Sequence, residues 1–387
     1  MICEDCGHET SETPFCVRCG HRQDRPVSSD ALRQYSADPS ESAISFHVVT
    51  TLFPQLPRDD LTAFRIVLLL GVGLVVALAI VGFFSIALVA AAVLVPVIMV
   101  TYLYDVDVYE DEPLRVYVLT FVWGATTGAL MGLALRALVD VDPLGPGPDA
   151  AFLFMRGVVV PIVAGGLALI GPLILLPYKR FNDVLDGATF GASSAVAFVG
   201  AQVIAQSIDL LGAGLRPGGD TLLWIARLLT HGVALPLVAA GAVGATCGAF
   251  WLRYRAPVRD RARLGLLGQP FVALAAGAAL LVAAALAMLL AREILALVIV
   301  AVLAAIAMVW LRLVIHLGLL QESLEVPIGD PVICANCGRS TPAHTFCGQC
   351  GVSLRALPKE ARRGRASSAP PPIGTAGPTQ PSGEPAA

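Results

Sequence analysis

The sequence is poor in charge. Asp, Glu, Lys and Arg make up 14% of its 387 residues, against roughly 25% in soluble domains. With 56% hydrophobic residues and a mean hydropathy of +0.74, the composition excludes an ordinary soluble domain and indicates a membrane protein. The net charge is −3, so the chain has no excess of basic residues and no nucleic-acid partner is predicted.

A signal peptide is also missing from the sequence pattern. Cys3 lies two positions after Met1, and no apolar run follows for about 60 residues. The cysteine-rich ends of the chain are therefore expected to meet reducing cytosol.

Eight of the nine cysteines form two equal motifs. Each motif has two C-x-x-C-G turns, with nine residues between the second and third cysteine. Such turns aim four sulfurs at one point, as in a tetrahedral structural zinc site. The predicted zinc ligands are Cys3, Cys6, Cys16 and Cys19 in a ribbon at 1–21, and Cys334, Cys337, Cys347 and Cys350 in a ribbon at 331–354.

Disulfides or a rubredoxin-like iron ion are the alternatives for these motifs, and the cytosolic location disfavours disulfides. A module of about 20 residues cannot build a sufficient core, so the metal must supply its folding energy. With four thiolates at each ion, the nearby His8, His21 and His344 are predicted to be surface residues.

Apolar blocks of about 20 residues, enough to cross ~30 Å of hydrocarbon, fill the chain from 63 to 317. The run at 63–104 is long enough for two spans, with a turn near 82–85. The predicted fold class is an all-α polytopic membrane protein with eight transmembrane helices, a linker and interfacial segment at 22–62, and a disordered tail at 355–387. The other six spans are predicted at about 116–138, 157–176, 187–211, 222–252, 270–290 and 294–317.

An even number of spans places both ribbons on one side of the membrane. Loops on that side carry Lys179, Arg180 and the arginines of 253–263, which the positive-inside rule assigns to the cytoplasm. Both termini are therefore predicted to be cytoplasmic. The opposite loops hold only Arg156, Arg216 and Arg292.

Five polar residues interrupt the fifth and sixth spans. Gln202, Gln206 and Asp209 are spaced i, i+4 and i+7, and Arg227 and His231 are spaced i, i+4. Because unpaired charge in lipid is costly, we hypothesise that Asp209 pairs with Arg227 or His231. The alternative is interhelical hydrogen bonding combined with snorkelling to the interface.

Two stretches, DVDVYEDEPLRVYVLTFVWG at 105–124 and FNDVLDGATFG at 181–191, resemble PrsW-like intramembrane metalloproteases of the bacterial inner membrane. The likeness extends over about residues 44–250, and it implies the same membrane fold; several such proteins carry terminal zinc ribbons. The first stretch matches at Asp107, Tyr109, Glu110, Glu112, Pro113, Trp123 and Gly124. The second matches at Phe181, Leu185, Asp186, Gly187 and Gly191, and departs at Asn182 and Asp183.

The resemblance implies three intramembrane motifs for activity, and the chain departs from each. The first motif, P-x-V-E-E-x-x-K, aligns with Pro161, Val163, Ala164, Gly165 and Ala168. The second motif, F-x-x-x-E-N, aligns with Phe198, Gln202 and Val203. The third motif, a His eight residues before a Gly, aligns with Val233 and Gly241. The side chains of Ala and Gly carry no lone pair, and the amide of Gln is not basic near neutral pH. These positions therefore cannot activate water. His231 is about 200° around a helix from Val233 and is predicted to face away from the site.

The predicted function is therefore that of a catalytically inactive pseudoprotease, a binding or regulatory scaffold. Its membrane domain would hold a helical or lipid-like client, and its zinc ribbons would contact a cytosolic protein. One alternative is an active metalloprotease with a displaced site at His231. The other is a transporter or channel, which the absence of an internal repeat in the spans disfavours.

Overall fold

A computed structural model describes residues 1–4, 6–24, 62–105, 114–138, 150–212, 214–215, 220–256, 265–325 and 327–354. π-Helical turns at Met155–Val159 and Thr230–Ala234 join α4 to α5 and α8 to α9. The α-helices are α1 (Thr62–Val81), α2 (Phe84–Asp105), α3 (Leu114–Leu138), α4 (Ala150–Phe154), α5 (Val160–Leu175), α6 (Val184–Gln206), α7 (Ile208–Gly212), α8 (Thr221–Leu229), α9 (Leu235–Tyr254), α10 (Pro270–Leu290) and α11 (Glu293–Glu325).

Eight helical segments of the described chain are long and apolar enough to cross a membrane, which confirms the predicted number. The fourth span is α4 with α5, and the sixth is α8 with α9. Three predicted limits were wrong. The fifth span ends at Gln206 and not at about 211. The fourth span begins at Ala150 because the helix continues through Arg156, and the eighth continues to Glu325. At 33 residues, α11 is about 50 Å long and extends beyond the bilayer core.

Helix α6 lies at the centre of the bundle and contacts α2, α3, α5, α9 and α11. Small residues let its neighbours approach closely, as is common between membrane helices. On α3, Gly124, Gly128 and Gly132 recur every fourth residue and face the α6 backbone. A Cβ atom at Gly128 would lie 2.1 Å from the carbonyl oxygen of Phe198. The α3–α6 contact therefore requires glycine.

The two cysteine-rich ends form ribbons that dock at the end of α11. The second ribbon contains antiparallel strands β1 (Gly329–Ile333) and β2 (Ser340–Ala343). Arg18 of the first ribbon donates to the Leu324 carbonyl at 2.7 Å, and its own carbonyl accepts from the Ser323 hydroxyl at 3.0 Å. Both ribbons therefore lie at one end of the bundle, as the even number of spans predicts. We call it the ribbon end, and the opposite end the far end.

Three carboxylates hold the first turn of α6 at the ribbon end. The Asp183 carboxylate accepts from the Asp186 N–H at 2.9 Å, and the Asp186 carboxylate accepts from the Asp183 N–H at 3.2 Å. Glu322 of α11 accepts from the Val184 N–H at 2.8 Å. This capping box and the added carboxylate satisfy the free N–H groups of the helix start. They also join α6 to the part of α11 that carries the ribbons.

Some predicted features lie outside the described residues. They are the linker and interfacial segment over 25–61, the acidic stretch at 106–113 with its family-like residues, and the tail at 355–387. These stay predictions.

Candidate functional site

The sulfur atoms of each cysteine motif converge on one point, within 4.8 Å of one another. A tetrahedral ion with sulfur bonds of about 2.3 Å requires sulfur–sulfur distances of about 3.8 Å, whereas a disulfide requires about 2.05 Å. Both clusters therefore suit a tetrahedral metal ion. The Sγ–Sγ distances are 3.7 Å for Cys3–Cys19, 4.0 Å for Cys6–Cys16, 3.9 Å for Cys334–Cys350 and 3.8 Å for Cys337–Cys347.

One backbone turn, repeated four times, builds both clusters. In each C-x-x-C-G turn the glycine N–H donates to the carbonyl of the first cysteine at 2.8 to 2.9 Å. Each glycine has a φ between +69° and +75°, a region that other residues rarely adopt. The glycines are Gly7, Gly20, Gly338 and Gly351. The glycine of the motif is thus required by the turn that aims the sulfurs.

Hydrogen bonds among the thiols favour an anionic sulfur in the first cluster. The pKa of Cys16 is lowered because its sulfur accepts hydrogen bonds, chiefly from Cys19 and then from Cys3 and Cys6. The pKa of Cys19 is raised, chiefly because its thiol is hydrogen-bonded to Cys16. The thiolate is the form that binds metal, so the cluster is suited to that task.

The two ribbons pack into one unit. The Phe15 N–H donates to the Gly348 carbonyl and the Phe346 N–H to the Val17 carbonyl, both at 2.9 Å. The Phe346 side chain is only 1% exposed. His344, predicted to be a surface residue, is half-buried with Nδ1 2.9 Å from the Val17 carbonyl oxygen. His8 and His21 are half-buried as well, so the prediction was wrong for all three histidines. For His344 the reason is that the contact joins opposite ends of the chain, which local spacing does not reveal.

A cavity of about 350 Å³ lies in the far half of the bundle, between the fourth, fifth, sixth and seventh spans. Its floor, toward the ribbon end, is apolar and includes Ala168, Ala195 and Leu281. Within the described residues, the wall contains no Asp, Glu, Lys or Cys. The polar side chains of the wall are Arg156, Gln202, Gln206 and His231.

Two of these polar residues sit in the π-helical turns. Arg156 belongs to Met155–Val159 and His231 to Thr230–Ala234. Such turns widen the helix locally and occur often at functional sites. Arg156 is half-buried and contacts no carboxylate in the described part of the chain. Among the described residues, the cavity therefore presents near its far end a cation with no carboxylate partner.

The predicted polar cluster divides between the cavity and two ion pairs. The hypothesis that Asp209 pairs with Arg227 or His231 was wrong. Asp209 accepts from Nε of Arg136 on α3 at 3.0 Å, and Arg227 donates from Nε to Glu293 of α11 at 2.9 Å. The reason is that α6 ends at Gln206 and Asp209 belongs to the separate helix α7, so the i+7 spacing does not hold. The cavity members are Gln202, Gln206 and His231.

Of the three motifs that the resemblance implies, the positions of the first two converge on the cavity, apart from Val163, and those of the third do not. Val163 and Val233 are 45% and 37% exposed outside the cavity, and Gly241 packs against Ala307 of α11. His231 was predicted to face away from the site, but it lines the cavity together with Leu235, Ala239 and Val243. Val233 faces away from the cavity instead. The converging positions are Pro161, Ala164, Gly165, Ala168, Phe198, Gln202 and Val203.

No family model, curated protein or solved structure matches this chain. The resemblance to PrsW-like proteases therefore stays a prediction that depends on the residues quoted above.

Several residues of the site were missed from the sequence. Arg156 was assigned to a loop, although the apolar AAFLF segment at 150–154 before it indicates a longer span. Glu322 was not singled out, and Arg136 and Glu293 carry no local sign of their partners. Ion pairs and caps between distant segments depend on which helices are neighbours.

Proposed function

We propose that the chain is a PrsW-like membrane protein that binds a client without hydrolysing it, and that it acts as a binding or regulatory scaffold. The observation that carries the proposal is the convergence of seven positions from two PrsW-like motifs on one membrane cavity. A cavity common to two distant motif segments is what a binding site of that fold requires.

The chemistry of the wall favours binding over hydrolysis. Catalytic metal sites use about three protein ligands, and metal-free hydrolysis needs a general base near the substrate. Among the described wall residues the polar groups are one imidazole, one guanidinium and two amides. Neither an amide nor a guanidinium accepts a proton near neutral pH. One imidazole also falls short of the three His, Cys or carboxylate ligands of a catalytic zinc site. A pseudoprotease is consistent with this set.

The ribbons are proposed to hold two structural zinc ions and to contact a cytosolic protein. Zinc is assigned because four thiolates at tetrahedral distances are its usual structural site. Helix α6 joins the two functions. Its far half lines the cavity, and its first turn is capped by Glu322, next to the Ser323–Arg18 contact with the ribbon. A client that shifts α6 would therefore be sensed at the ribbons.

The proposed location is the bacterial inner membrane with the ribbons in the cytoplasm. Lys179, Arg180, Arg253 and Arg255 follow the ribbon ends of their spans, whereas Arg292 lies at the far end. The positive-inside rule assigns the more basic side to the cytoplasm.

Metal content and proteolysis of the purified full chain test the proposal. We expect two zinc ions per chain by mass spectrometry, the same ratio in His231→Ala, and no cleavage of a transmembrane helical peptide. Cys247→Ala, at a buried cysteine outside both clusters, is the matched control. A third metal ion that is lost in His231→Ala, together with peptide cleavage, would instead support a displaced metalloprotease site.

A further inference from the structure

The cavity has the length of one lipid leaflet. Arg156 and Ala168, at its two ends, are twelve residues apart on the fourth span, which corresponds to about 18 Å along a helix. Half of the hydrocarbon core is about 15 Å thick. A single acyl chain that enters from the far leaflet would therefore extend from Arg156 to the apolar floor.

Arg156 lies close to headgroup depth. The fourth span has 26 residues, or about 39 Å, so a centred span extends roughly 4 to 5 Å beyond the core on each side. Arg156 is six residues, about 9 Å, from the start of that span at Ala150. Its Cα therefore lies roughly 4 to 5 Å inside the core, a depth from which an arginine reaches the interface. A cation at this depth requires an anion or water.

The wall combines this cation with neutral hydrogen-bonding groups and an apolar floor. Guanidinium binds phosphate through two parallel hydrogen bonds. Gln206, in the last turn of α6, and His231 line the same cavity as Arg156. We infer that the cavity binds one anionic phospholipid, with the phosphate at Arg156 and one acyl chain along the floor. The inference rests on the proposed binding function and names its ligand.

A helical client does not fit between these walls. Helices α5, α6, α9 and α10 contact one another directly around the cavity. An α-helix with its side chains is 10 to 12 Å wide, and packed helices are only 8 to 10 Å apart between axes. A lipid chain needs no separation of the helices, so a lipid is the ligand that this cavity accommodates.

The test is native mass spectrometry of the full chain, delipidated in neutral detergent and titrated with phosphatidylglycerol or phosphatidylcholine. We expect one saturable phosphatidylglycerol per chain. Its preference over phosphatidylcholine should be roughly tenfold, because the choline cation offsets the phosphate charge that attracts Arg156. Arg156→Gln should weaken phosphatidylglycerol binding by about tenfold. Arg156→Lys keeps the charge but loses the two parallel hydrogen bonds, so it should weaken binding by a smaller factor. Arg292→Gln, which removes an exposed cation of the far end outside the cavity, should have no effect.

Two further arms test the acyl chain. Ala164→Leu, which adds volume inside the cavity, should weaken both lipids, and glycerol phosphate without a chain should not compete. Equal binding of the two lipids by the unmodified chain would overturn the inference, as would full binding by Arg156→Gln or by Ala164→Leu. If Arg292→Gln lost as much phosphatidylglycerol affinity as Arg156→Gln, the preference would come from surface charge and the inference would be overturned. Each variant is first shown to have the unfolding temperature of the unmodified chain.

Failure of this inference is distinguishable from failure of the proposed function. Cleavage of a peptide with a third bound metal ion would refute the scaffold itself. If the chain holds two zinc ions and cleaves no peptide but shows no lipid selectivity, only the inference of a bound anionic phospholipid is refuted.

Discussion

The contact between α3 and α6 allows a sharp test of the fold around the cavity. Substitution of Gly128 by Ala adds a Cβ atom 2.1 Å from the carbonyl oxygen of Phe198 and 2.7 Å from its Cα and carbonyl carbon. Carbon and oxygen atoms of neighbouring backbones approach to about 3.3 Å. The two helices would therefore have to separate by about 1.2 Å, because the atoms in the way are backbone and cannot rotate aside.

The expected cost follows from two opposing effects. Overpacking of a tight interior typically destabilises by about 1 to 3 kcal/mol. Replacing Gly by Ala within a helix contributes up to about 1 kcal/mol in the opposite direction. We therefore expect a net loss of about 1 to 2 kcal/mol, which corresponds to an unfolding temperature lower by a few degrees.

A matched substitution provides the control. Gly166 lies within the helix α5, and a Cβ atom there would meet nothing within 4 Å. Gly166→Ala should leave stability unchanged or raise it slightly, because only the helix propensity changes. Both variants are compared by size-exclusion chromatography of heated samples in detergent. If Gly128→Ala proves as stable as Gly166→Ala, the α3–α6 packing described above is incorrect.

Three other predictions follow from the ion pair and the ribbons. Asp209→Asn should change the unfolding free energy by less than about 1 kcal/mol, because the Asp209 side chain is 76% exposed. A larger loss of stability in thermal melts would show that the pair with Arg136 is buried by lipid. Phe346→Ala should destabilise the joined ribbons by about 3 kcal/mol or more and speed release of bound metal to a chelator, whereas Ile333→Ala, at a residue 65% exposed on the same ribbon, should not. Equal release rates would contradict the packing of the ribbons. Cys16→Ser should remove the metal ion of the first cluster and weaken binding of the second ion, since the ribbons share Val17 and Phe346 contacts. A second ion held as tightly as before would show that the ribbons are independent.

The sequence by itself determined the membrane class, the number of spans and the two cysteine clusters. An apolar block long enough to cross a bilayer and a C-x-x-C-G turn are both defined by residues close together in the chain. The turn near Gly82 was also predictable, because one apolar run was twice the length of a span. Signals of this kind need no knowledge of which helices are neighbours.

The tertiary structure alone decided what the polar residues do. It placed His231 on the cavity wall, paired Asp209 with Arg136 instead of Arg227, and turned Arg156 from a loop residue into the cation of the cavity. It also joined His344 and Val17 across 327 positions of sequence. The physical reason is that a charge or hydrogen-bonding group in a membrane is satisfied by whatever helix lies beside it. Helix adjacency results from the packing of small residues over the whole bundle, which no local pattern specifies.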